Sequence, residues 1–164
     1  MDSIINLYFE RAENELTLAK AIKLLSDNTE IKKERFDIAE NMTFYSAVIS
    51  HAYYAIFYSA KAYLVSKGIA FKSKQGQHQK VHFEFRKLVQ KGILSKELLE
   101  IYEEAKIKAE LLLEILDKEK TKRTEFTYEK LPQANMSPAE DSIENATIFV
   151  SNMKAFIQNQ SEQG

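Results

Sequence analysis

The chain contains no cysteine. Disulfides and thiolate metal sites are therefore excluded, and a reducing compartment fits. Glycine occurs 4 times and proline twice in 164 residues. A β-rich chain of this length needs many more turns, so the scarcity of both argues for a few long helices. No apolar stretch reaches the roughly 18 residues that span a bilayer. The start, MDSIINLYFE, lacks the basic region and apolar run of a signal peptide. The expected location is the cytoplasm. No phosphate-cradling glycine loop, zinc-ligand spacing or nucleophile elbow occurs. What is there is 45% hydrophobic and 29% charged, the composition of a globular protein with a real core. One domain over residues 1–164 is expected, ordered over about 2–158.

The organising stretch is Phe36 to Lys67, which has neither glycine nor proline. Ala47, Tyr54, Tyr58, Ala62 and Val65 form one row at helical spacing; Ser50, Tyr53, Phe57, Ala60 and Leu64 form a second. Small residues alternate with rings, which suits close helix–helix approach. The expected fold is all-α, an antiparallel four- to five-helix bundle with this helix at its centre. A first helix over 2–25 carries Ile5, Tyr8, Ala12, Leu16, Ala19 and Ile22 inward. Gly68 ends the central helix, and a loop runs from Ile69 to Gln77. A third helix over about 78–91 buries Val81, Phe85, Leu88 and Val89. Ser95 caps a fourth. Ser137-Pro138-Ala139-Glu140 reads as a capping box opening a fifth, whose end frays from Gln158.

The net charge of -1 hides an asymmetry. Residues 67–91 hold seven lysines and arginines against the single acid Glu84. Such a patch attracts polyanions, and a solvated face is the bland alternative. The candidates for chemistry are few. His78 and His82 stand four apart on one predicted helix, but no matching acid accompanies them, so no metal site is expected. Capping of the helix by His78 and a packing or surface place for His82 are the expected roles. His51 sits on the central helix, where a lone histidine is usually a satisfied core or interface residue; a functional role needs a partner from another segment. Arg123 and Tyr128 lie five residues apart in RTEFTY, directly after a lysine cluster.

Four blocks together resemble a known family: RAENELTLAKAIKLL, SHAYYAIFYSAKAYLVSKG, QHQKVHFEF, and RTEFTY followed by SPAEDSIENATIFVSNM. The sequence is similar to small single-domain prokaryotic HEPN proteins over roughly residues 5–157. The resemblance implies a helical bundle that pairs as a homodimer. It also implies a link to RNA or nucleotides, often beside a nucleotidyltransferase partner in a toxin–antitoxin pair. Many members are metal-independent ribonucleases with an Arg-spacer-His motif. Here Arg123 matches the arginine, but Tyr128 occupies the histidine position. His78 matches the histidine that a closer subgroup carries after the loop. Metal-free RNA cleavage needs a proton acceptor near neutral pH, which imidazole supplies and a phenol with a pKa of about 10 does not. Arg123 can still bind phosphate through its planar fork.

The leading expectation is a nucleotide- or RNA-binding protein without a cofactor. Lys72, Lys74, Lys80, Lys120, Lys122 and Arg123 are its phosphate-binding residues. The alternative is an active ribonuclease using Arg123, Tyr128 and His51 or His78. The third is a non-catalytic helical adaptor.

Overall fold

The computed structural model describes residues 2–73, 75–121 and 136–161; the side chains of 113–121, 136, 137, 160 and 161 lie outside that description. Among these residues there are six helices and no strand: α1 (Ser3–Asp27), α2 (Thr29–Phe36), α3 (Tyr45–Ser66), α4 (Gln77–Gln90), α5 (Lys96–Thr121) and α6 (Met136–Ser161). None is long and apolar enough to cross a membrane.

α3 is the spine. It packs on α1, α4, α5 and α6. Its second row is the buried one, with Tyr53, Phe57, Ala60 and Leu64 all enclosed. The first row turns outward in the middle: Tyr54 is exposed and Tyr58 half-buried. Ala52, Ala55, Ser59, Ala60 and Ala62 are buried on α3, and the large rings beside them fill the space between helices. Phe85, Tyr102 and Phe149, from three different helices, meet edge to face behind α3.

Cross-contacts give the directions. Tyr8 pairs with Tyr58 and Glu15 with His51, so α1 runs antiparallel to α3. Glu13 pairs with Lys154 and Lys23 with Glu140, so α1 is antiparallel to α6 as well. α3 and α6 therefore run parallel, and Tyr63 accordingly meets Phe156 at their far ends.

The predicted central helix was expected to start at Phe36; α3 starts at Tyr45. The preceding segment forms its own helix, α2, which ends at Asp37 in the left-handed region at φ 52. The turn that follows is held by Lys32. Its buried ammonium donates to the carbonyls of Ser26, Glu40 and Met42 at 3.0, 2.6 and 3.0 Å. α6 continues to Ser161, past the expected fraying point.

The predicted helix ends at Gly68 and Gly92 are present. Both adopt positive φ, which glycine accepts without strain. After each, two amide bonds fold back onto the last turn: Gly68 to Val65 and Ile69 to Leu64, then Gly92 to Val89 and Ile93 to Leu88. The second of these turns joins α4 to α5 as a tight hairpin, with Ser95 capping α5 through the Leu98 amide at 3.4 Å.

Candidate nucleic-acid interface

α4 buries Val81, Phe85 and Leu88. The 3.6-residue period then forces Gln79, Lys80, His82, Phe83 and Arg86 onto its other faces. Together with Gly76 and with Lys106 from α5, they line an open groove of about 530 Å³.

The groove is positive because its cations are poorly neutralised. Among the described residues, Arg86 and Lys80 have no carboxylate partner. Lys80 donates instead to the Ala70 carbonyl at 2.8 Å, tying the start of α4 to the turn after α3. Lys106 pairs with Glu110 at 3.4 Å within its own helix. His82 forms part of the wall: its Nε2 lies 3.2 Å from Glu103 Oε1, and its ring meets Tyr102 edge-on. The Tyr102 hydroxyl behind it is buried with no hydrogen-bond partner among the described residues. Burial and, secondarily, the nearby Tyr53 raise its pKa. Phe83 stands exposed in the groove, with the Lys87 ammonium 5.2 Å from its ring centroid.

A second cluster lies between α1 and α3. His51 Nδ1–H donates to Glu15 Oε2 at 2.6 Å, and Glu15 also receives the Arg11 guanidinium at 3.5 Å. Arg11 in turn sits over Tyr58. A carboxylate on one ring nitrogen fixes the imidazole orientation and its tautomer.

A third cluster joins α3 to the start of α4. The His78 ring stacks on Phe57, 3.9 Å between centroids, and its Nδ1 is hydrogen-bonded to the Tyr53 hydroxyl at 2.8 Å. Partial desolvation where the ring lies against Phe57 and Tyr53, on a residue that otherwise stays exposed, lowers the His78 pKa below its ordinary value, with the Lys61 charge adding. The buried Lys61 ammonium donates to Gln77 Oε1 at 2.6 Å and lies 4.3 Å from the Tyr8 centroid. Rings replace a carboxylate as its counter-charge.

Of the residues singled out from sequence, Lys80 lies in the groove and Lys72 is exposed on the segment leading to α4. Lys74, Lys122, Arg123 and Tyr128 lie outside the described residues, and so does the Lys120 side chain. His51 has the partner from another segment that it required. His78 does not cap α4: Gly76, which has no side chain to offer, is the N-cap, and the imidazole lies against Phe57 and Tyr53 instead. His78 and His82 turn to different helices, one to α3 and the other to α5.

Sequence reasoning missed Arg86, Lys106, Phe83 and His82 as neighbours in one groove. Phe83 carried a signal, an aromatic side chain out of register with the apolar face of its helix. Lys106 carried none, since only the α4–α5 hairpin brings it there.

These features define a small all-helical bundle with one positively charged, ring-bearing face. The model of the HEPN domain family matches residues 30–156, and the chain belongs to that family. HEPN domains point to nucleotide- or RNA-related function, often in toxin or defence systems, and commonly dimerise. No curated protein gives a significant match to the chain.

Proposed function

We propose that this HEPN protein binds RNA or nucleotides by their phosphates, through the α4–α5 groove. The observation that carries this is the convergence of Lys80, Arg86 and Lys106, from two helices, on one cavity. Guanidinium and ammonium donors facing a shared groove bind phosphate oxygens by charge-assisted hydrogen bonds. Lys72, exposed on the segment leading to α4, adds positive charge in this reading, and Lys74, Lys120, Lys122 and Arg123 remain candidates by sequence alone. The protein works as a homodimer beside a nucleotidyltransferase-type partner, as part of a toxin–antitoxin or defence pair. The test is RNA binding by the Arg86→Ala/Lys106→Ala double variant against wild type over a salt series. Equal affinity of the two at every salt concentration would refute the groove as the site.

A second reading, metal-independent RNA cleavage, is favoured by the oriented His51–Glu15 pair beside Arg11. Labelled RNA incubated with wild type in EDTA is then cut, and His51→Ala and Arg123→Ala slow the cutting. Intact RNA with all three proteins removes this reading and leaves the first standing.

A further inference from the structure

We infer that the groove receives an unpaired base on the Phe83 ring, so that its ligand is single-stranded rather than duplex nucleic acid. This rests on the phosphate-binding reading above and adds the element that selects the strand. Phe83 is 58% exposed. The fold does not need it there, because Val81, Phe85 and Leu88 already supply the buried face of α4. An exposed ring on a helix face that also carries Gln79, Lys80, His82 and Arg86 is an apolar platform in an open, cation-bearing groove.

That combination has a specific use. A base presents a π-face whatever its identity, and it stacks on an aromatic side chain when it is free of a partner strand. In a duplex the bases are already stacked and paired, so their π-faces are not free to stack on the ring. Lys87 reinforces the platform: its ammonium lies over the Phe83 ring, held near by Glu84 at 3.2 Å. Lys80 and Arg86 are six residues apart on α4, about 9 Å along the axis. Phe83 stands midway between them. A strand laid along α4 therefore meets a cation, a ring and a second cation in turn, with Lys106 opposite.

The chain has no tryptophan, so Phe83→Trp introduces a sole indole at the platform. The experiment uses fluorescently labelled single-stranded RNA of about 4–16 nucleotides and the same sequence annealed as a duplex. Affinities are measured by anisotropy for wild type, Phe83→Ala, Phe83→Trp and Arg86→Ala/Lys106→Ala. Circular dichroism checks the fold of each, and sedimentation checks its oligomeric state. Phe83→Ala is expected to weaken single-strand binding about 5- to 150-fold and to leave duplex binding unchanged. Phe83→Trp is expected to keep wild-type affinity, with indole fluorescence quenched by the single strand and not by the duplex.

If Phe83→Ala binds like wild type while the double cation variant is weak, the phosphate groove stands and the stacking inference falls. If the cation variant is also unaffected, both fall together. A change of oligomeric state in Phe83→Ala at unchanged RNA affinity would identify the ring as a protein contact and overturn the inference.

Discussion

Lys32 and Lys61 are both buried lysines, held in different ways. Lys61 rests against rings and one amide oxygen; Lys32 satisfies three backbone carbonyls in the turn between α2 and α3. Replacing Lys32 with Met keeps the stem and removes all three donors. Each stranded acceptor costs about 1–3 kcal/mol, partly relieved by water at the rim, so the expected loss is about 3 kcal/mol. Urea unfolding measures it, and a loss below about 1 kcal/mol would show that solvent reaches those carbonyls unaided. His78 gives a pH prediction. Its folded pKa lies below the ordinary 6.5, through partial desolvation first and the Lys61 charge second. Above 6.5 both folded and unfolded forms are neutral. As pH falls below it, the unfolded chain takes up the proton first, so stability is lost as pH falls through the folded value. Wild type should therefore lose stability as pH falls below about 6.5 more steeply than His78→Gln does. Parallel curves for the two proteins would deny His78 that role.

At the level of elements, one small clip sets the relative positions of three helices. Lys23 and Asp27 at the end of α1 are paired at 2.5 Å, Tyr45 at the start of α3 donates to Asp27 at 2.5 Å, and Glu140 of α6 reaches Lys23 at 3.1 Å. Burial first, and the hydrogen bond to Asp27 second, push the Tyr45 phenol up to about 12. Asp27→Ala breaks the hub and leaves a lysine and a phenol without their acceptor. With the partial exposure of the site taken into account, the expected loss is about 1.5 kcal/mol. Equal unfolding midpoints for variant and wild type would make the clip ornamental. The same region shows where sequence reading stops. Periodicity placed α1, α4, the start of α5 and the glycine-terminated ends, because those signals are local. It carried the central helix back through 37–44, because no glycine or proline interrupts that stretch, and it gave no helix over Thr29–Phe36. The break is made by Asp37 in a left-handed turn and by Lys32 reaching across eight and ten residues, and neither contact has a local signature. The outward turn of Tyr54 was hidden for a related reason: two adjacent rows read as one wide face until neighbours decide which is covered.

For the whole molecule, the question is how a chain of net charge -1 presents an attractive face to a polyanion. Segregation answers it. The excess of cations between residues 67 and 91 was legible from counting. Its shape was not, because α5, an otherwise acid-rich helix, contributes Lys106 only once the hairpin has closed. If the proposed RNA binding holds, the net charge away from that face repels the strand, so binding rests on the groove and on contacts from the same side. This yields a quantity. Each phosphate neutralised on a single strand contributes a slope of about -0.7 to log affinity against log salt concentration. Three groove cations, Lys80, Arg86 and Lys106, then give a slope of about -2, made steeper by any further lysine engaged. Arg86→Ala/Lys106→Ala removes two contacts and should make the slope shallower by about 1.4. Phe83→Ala removes no charge and should lower affinity at every salt concentration without changing the slope. An unaltered slope in the double cation variant would show that RNA is held elsewhere on the molecule. A slope altered by Phe83→Ala would show that its ring positions the strand against the cations rather than adding stacking alone.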